Sequence, residues 1–387
     1  MFESKPRYRS VIWLKENLFN SWANSFLTCL SAIVIFFIVK GIFTFVFFSG
    51  KWDVISANLK ILMVGQYPVA EIWRIWLALC LTVFLLGISW GSRKGFFTMI
   101  SVAIIAVFAV IAMLPFISMA SKAWLLLGIA LSVAGYWVGR KVSFAKKLNL
   151  ALWLVCIPFM LILLNGFGIF KKVNSNFWGG FLLTILIAVV TIVFSFPLGI
   201  LLSLGRRSKL VVIRWFSIIY IEVIRGIPLI TVLFGAQLLL PLFIGNRIEL
   251  NNVLRVMIGF TLFNAAYIAE TVRGGMQAIP RGQYEAAEAL GLNFVQKTTF
   301  IIMPQALRNV IPALVGTVIE VFKDTSLVAI VSLMDLLGIA KRIIANPEFL
   351  GRQMEVFIFV AGVFLILCLL LSKVSRNLEV SLACGKR

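Results

Sequence analysis

Residues 177–204 read FWGGFLLTILIAVVTIVFSFPLGILLSL, an apolar run without one charged side chain, bounded by Lys171 and Lys172 before it and Arg206 and Arg207 after it. A helix rises about 1.5 Å per residue, so about 20 such residues cross the hydrocarbon core of a bilayer. The run makes the chain an all-α, polytopic membrane helix bundle. Working outward with a window of that size finds about ten candidate spans, at 24–48, 73–90, 96–117, 123–139, 150–170, 177–204, 213–244, 253–270, 313–334 and 354–372. The fourth is short and the seventh overlong.

Composition agrees with that reading. Hydrophobic residues make up 61% of the chain and charged residues 13%, and the mean hydropathy is +1.03, beyond what a soluble globular chain of 387 residues normally reaches. The net charge of +21 is not a nucleic-acid signature, because the basic residues sit in short loops between apolar runs. In such loops Lys and Arg set membrane orientation. With the N-terminus inside, about 22 basic residues fall on inner loops and about 11 on outer ones. That predicts an even number of spans with both termini cytoplasmic, nine or eleven spans being the alternative if the short fourth run does not cross. The polar N-terminal stretch does not resemble the core of a cleaved signal peptide, so the first run is expected to stay as an anchor. The five cysteines form no C-x-x-C pair and read as buried free thiols. The absence of histidine removes imidazole as metal ligand or general base.

The chain divides near Lys171: few charges lie at membrane depth before it and several after it. Residues 1–170 are read as an N-terminal membrane extension of about five spans and 171–387 as a core of about five more, by the spanning length of a helix. Within the overlong seventh candidate, Arg225-Gly226-Ile227-Pro228 predicts a break, since proline removes a backbone donor and glycine loosens the helix. The break is either a packing kink or backbone lining a wet cavity.

The longest loop placed inside, 271–312, carries Pro280-Arg-Gly-Gln-Tyr-Glu285-Ala286-Ala287-Glu-Ala-Leu290-Gly291. Helical spacing groups Ala287, Leu290 and Gly291 as a shallow apolar patch with Ala286 beside it, and turns Glu285 and Glu288 elsewhere. A short helix with such a face suits a groove in another protein. Glu285-Ala286-Ala287, then Gly291, Ile301 and Pro304, stand at a spacing that resembles the coupling motif of ATP-binding-cassette importer permeases, with Met303 where leucine is usual. Glu222-Val-Ile-Arg225-Gly226-Ile-Pro228-Leu229, Ala266-Tyr267-Ile-Ala-Glu270 with Arg273-Gly274-Gly275, and Lys323-Asp324-Thr325-Ser326-Leu327 look like signature stretches of the polar amino-acid branch. The resemblance runs over 177–372, and the long extension is similar to the larger permeases of general L-amino-acid importers.

The resemblance implies a type I importer permease core with a coupling helix near 283–292. It also implies an ATP-binding subunit carrying ATP and magnesium, a second, related permease, an extracytoplasmic amino-acid-binding protein and an L-amino acid as substrate. Membrane lipid surrounds the chain, nucleic acid is no partner and no cofactor is expected on this chain. No G-x-x-x-x-G-K-[ST] phosphate loop occurs, so ATP hydrolysis falls to another subunit and the chain is not an enzyme.

Glu222 with Arg225, Glu270 with Arg273, and Glu320 with Lys323 each place opposite charges on one helix face. Charges at membrane depth face partners or a water-filled path. Glu222, Arg225, Glu320, Lys323 and Asp324, with the hydroxyls of Thr325 and Ser326, are candidates for contact with a zwitterionic substrate, for a gate or subunit interface, or for static packing. Two rivals stand beside the importer. An ion-gradient-driven secondary amino-acid transporter would not need the Glu-Ala-Ala helix, and a membrane-embedded enzyme lacks an evident acid, base or nucleophile set.

Overall fold

The computed structural model describes residues 6–92, 96–113, 117–166, 168, 170–244 and 250–383. Helix α1 (Pro6–Leu18) leads into α2 (Trp22–Thr44), capped by the Ser21 hydroxyl, and a short helix, α3 (Asp53–Val64), follows. The extension continues with α4 (Ile72–Ser92), α5 (Phe96–Met113), α6 (Met119–Lys141) and α7 (Ser143–Asn165). The core comprises α8 (Gly180–Arg206), α9 (Val211–Gly226), α10 (Leu229–Leu238), α11 (Leu240–Ile244), α12 (Asn252–Gln277), α13 (Arg281–Ala289), α14 (Phe294–Gln296), α15 (Met303–Asp324), α16 (Leu336–Ile344) and α17 (Gln353–Ala383). Among the described residues there is no strand, only two isolated bridges.

Among the described residues, six helices are long and apolar enough to cross a membrane, and α9 with α10 makes a seventh if the bent pair counts as one span. Apolar stretches in α5 and α7 are shorter. The ten hydropathy windows are therefore not matched one for one. The window 313–334 differs most: α15 stops at Asp324, a tighter helical turn runs over Thr325–Val331, and Ser332 adopts a left-handed conformation. Hydropathy sees apolar residues there but not the tightening of the backbone. At the predicted break, α9 ends at Gly226, Ile227 and Pro228 are extended, and α10 leaves at 109°.

In lipid, helices gain little from burying apolar surface against each other, and close backbone approach takes over. Helices α4 and α6 show it. A Cβ on Gly87 would lie 2.3 Å from the Ser132 carbonyl, on Gly91 2.1 Å from that of Tyr136, on Gly135 2.3 Å from that of Phe84 and on Gly139 2.2 Å from that of Ile88. Two small-xxx-small pairs thus press the backbones together, and any side chain there would force them apart. The largest apolar cluster crosses from extension to core: Leu85, Ile157 and Leu164 pack with Leu183, Ile187, Leu233, Met257 and Phe260. Helix α2, by contrast, has no buried residue.

At the end of the bundle where α8 begins, extension and core are stitched backbone to backbone. Gly65 bridges Trp178, Gly180 bridges Asp335, and the Gly180 N–H donates to the Met334 carbonyl at 2.8 Å. Gly65, at φ +66°, has room only as glycine, since a Cβ would lie 2.5 Å from the Gly179 Cα. Beneath the stitch Val54, Ile55 and Leu62 of α3 pack on Leu336, Ile339 and Ile343 of α16. Asp335 caps α16, accepting from the backbone N–H of Gly338 at 2.8 Å and of Leu337 at 3.2 Å. It is fully buried, and that burial pushes its carboxyl up to about 6 despite the two donors. Nearby, Arg74 is buried with its guanidinium on Glu71 at 2.7 Å and on the Lys171 carbonyl at 2.9 Å. Cys80 and Cys156 are buried free thiols, whereas the free thiol of Cys29 is exposed.

Candidate coupling and charge-network site

At the opposite end of α8, the chain turns through α13. The helix ends in a Schellman cap: Gly291 sits at φ +72°, its N–H donates to the Glu288 carbonyl at 2.9 Å, and the Leu292 N–H donates to the Ala287 carbonyl at 3.2 Å. Gly291 is therefore fixed by the turn it makes. A Cβ there would meet nothing within 4 Å, so close approach to this chain's own atoms is not its reason. The next segment opens with a reciprocal capping box between Asn293 and Gln296 and passes through a widened turn, Lys297–Ile302, into α15.

The sequence grouped Ala287, Leu290 and Gly291 on one outward patch, and the structure divides them. Ala287 is 1% exposed and turned inward, while Leu290 is 75% exposed. Ala286 and Glu285 are exposed, Ile301 is half-buried, and Pro304 is exposed at the start of α15. The inward turn follows from Tyr284, which joins the apolar cluster formed by Val272 and Met276 of α12 and Ile279 just beyond it with Ile302, Ala306 and Val310. Ala287, three residues on, shares that face. Outside lies a ledge of Leu290, Phe294, Val295 and Phe300, all exposed.

The ledge is held from below. The Tyr284 hydroxyl donates to the Met276 carbonyl at 3.0 Å and accepts from Arg207 at 3.1 Å, and that guanidinium lies 5.5 Å from the ring centroid. Glu288 pairs with Lys297, which holds its carboxyl below the usual range. Gln305 donates to the Gln283 side chain at 3.2 Å. Helix α13 is thus tied to the ends of α8, α12 and α15 together. Sequence reading missed Tyr284 and Arg207. A tyrosine beside Glu-Ala-Ala was the available signal, because a half-buried hydroxyl seeks a partner.

The second group gathers where α8, α9 and α12 meet. Arg206 pairs with Glu222 at 2.9 Å and with Glu270 at 3.5 Å, Arg225 reaches Glu270 at 3.6 Å, and Arg273 also bonds Glu270. The Arg225 guanidinium lies 5.8 Å from the Tyr267 ring centroid. Of the three spaced pairs expected, Glu270 with Arg273 forms. Glu222 and Arg225 instead take partners from neighbouring helices, because Arg206 and Glu270 come within reach. Among the described residues, Glu320 and Lys323 form no ion pair with each other or with this network. Both are exposed on α15, and Asp324 is half-buried. Thr325 is fully buried, its hydroxyl donating to the Phe322 carbonyl at 2.7 Å, and Ser326 is half-buried beside it. No group of His, Cys, Asp and Glu among the described residues is arranged to hold a metal ion.

Residues 195–380 match the family described as binding-protein-dependent transport system inner membrane component. The inner membrane amino-acid ABC transporter permease protein YhdY of Escherichia coli K12 is 34% identical, over 98% of this chain and 94% of that protein. The glutamate/glutamine/aspartate/asparagine transport system permease protein BztC of Rhodobacter capsulatus is 35% identical, over 96% of this chain and 93% of that protein. A crystal structure of an amino acid ABC transporter with histidines is 28% identical, covering 52% of this chain and 92% of that one at a TM-score of 0.47. With near-full-length relatives at this identity, the chain belongs to the amino-acid ABC transporter permeases and is a multi-pass inner-membrane protein.

Proposed function

We propose that the chain imports L-amino acids, working with a second, related permease, a separate ATP-binding subunit and an extracytoplasmic amino-acid-binding protein. The observation that carries this reading is the ledge beside α13: exposed apolar side chains at and beyond its Schellman cap, next to a helix braced to three bundle helices at once. An ATPase docking there would pass its closing and opening directly to α8, α12 and α15. ATP and magnesium would sit on that ATPase, with α13 and both termini cytoplasmic. Residues 1–170 serve as the extension and 171–387 as the working core, a division supported by the family match lying within 195–380.

The two charged groups take different roles. Arg206, Glu222, Arg225, Glu270 and Arg273 satisfy one another, which suits an inner gate that opens when α9 moves relative to α12. Glu320, Lys323 and Asp324, beside Thr325 and Ser326, stand where α15 tightens. Charged groups on a helix within the bundle face a wet path or a partner, and these offer both signs to a zwitterion. That stretch is the proposed substrate contact.

Co-purification of the tagged chain from native membranes, with identification of its companions, tests the assembly. An ATPase, a second permease and an amino-acid-binding protein are expected. A chain that stays alone and moves amino acids in ATP-free proteoliposomes under an ion gradient would replace this reading with the secondary transporter.

A further inference from the structure

We propose that α3 of the extension and α16 of the core form one docking surface for the soluble binding protein on which this family's transport depends, recognising acidic residues on it. The inference rests on the importer reading, which makes the α13 end cytoplasmic. Helix α8 has 27 residues and spans about 40 Å. It begins at the α3–α16 end and finishes beside α13, so the two ends lie on opposite sides of the membrane.

The two short helices form a single body. Their apolar faces cover each other, Arg352 reaches Asp53 at 3.7 Å, and Gln66, with its amide oxygen turned toward Arg342, accepts from that guanidinium at 2.9 and 3.1 Å. What the two helices and the turns flanking them expose is mostly basic: Lys60, Lys341 and Arg342 on the helices and Lys51 before α3 are exposed, against exposed Asp53 on α3 and Glu348 after α16. Val69 and Leu350, each 71% exposed, lie on the adjoining segments. Apolar residues with charged neighbours are the make-up of a protein interface. The orientation rule works against Lys and Arg on outer loops, so membrane topology does not explain this charge. Attraction of an acidic soluble partner does, through a faster encounter and a fixed register. The extension then enlarges the platform that the core alone would offer.

The test uses the complete transporter in nanodiscs of neutral lipid, titrated with the soluble binding protein that restores its transport, and reads ATP hydrolysis. Lys60→Glu and Lys341→Glu lie at exposed positions on the two helices. Each should raise the half-saturating binding-protein concentration about threefold, and the double variant about tenfold. The maximal rate should hold and the defect should shrink as salt rises. Unchanged half-saturation in the double variant overturns the proposal. So does a defect that follows the anionic lipid content of the disc rather than the binding-protein concentration, which would make the surface a headgroup site. Wild-type complex that responds to no binding protein refutes the importer reading itself.

Discussion

Leu290 is the sharpest probe of the coupling ledge. Fully burying a leucine side chain contributes about 1.5–3 kcal/mol. Leu290 is 75% exposed, so its covering by a docked ATPase would contribute about 1–2 kcal/mol. Truncation in Leu290→Ala should therefore raise the half-saturating concentration of purified ATPase subunit about 5- to 30-fold. The stability of the permease should stay unchanged, because the side chain touches little of its own chain. The assay is ATP hydrolysis by the subunit titrated against permease in nanodiscs, with the permease melting temperature measured alongside. Ala287→Leu supplies the contrast: overpacking a position that is 1% exposed costs about 1–3 kcal/mol and lowers the melting temperature itself. Half-saturation within twofold of wild type for Leu290→Ala, and also for Leu290→Asp, would refute the ledge as the docking surface.

Three more outcomes follow from the packing and charges. Glu270→Gln removes the carboxylate that Arg206, Arg225 and Arg273 share; a loss of about 1–3 kcal/mol is expected, read as earlier thermal unfolding and as substrate leakage without ATP. Gly139→Val sets a Cβ 2.2 Å from the Ile88 carbonyl and should cost about 2 kcal/mol or more, seen as a lower melting temperature in detergent. Asp335 lies outside the candidate spans, and its folded value near 6 stands above its ordinary 3.8. Its stabilising contribution, about 3 kcal/mol, is full below the lower value and lost as pH rises through the upper one. The melting temperature should therefore fall from pH 5 to 7.5, and Asp335→Asn should flatten that fall.

Much of the fold was legible in the residues. The charge-free run at 177–204 became α8, and the Gly226–Pro228 chemistry marked the 109° bend, because both signals are local. The spacing from Glu285 to Gly291 located a helix, although Gly291, read as part of its apolar patch, is instead the left-handed residue of its cap. What escaped depends on neighbours distant in sequence. Whether Ala287 or Leu290 faces outward is decided by Tyr284 finding Met276. Glu222 chose Arg206 over the residue three positions away because another helix brought that guanidinium closer. The α4–α6 contact had a spacing signal in Gly87, Gly91, Gly135 and Gly139, yet only the pairing of the two helices gives it meaning. Helices α3 and α16 hid in loops because a hydropathy window is longer than either.

The backbone stitch at Gly65, Trp178, Gly180 and Asp335 also sets an order of events during biosynthesis. Leu62 and Leu336, which meet beneath it, are separated by about 270 residues of chain, and a ribosome adding about 5–20 residues per second needs tens of seconds to cover that distance. Through that interval the apolar face of α3 emerges without its cover, whatever the anchoring helices have already reached. The stitch closes late, and a nascent chain arrested before α16 would present Val54, Ile55 and Leu62 bare to quality-control proteases.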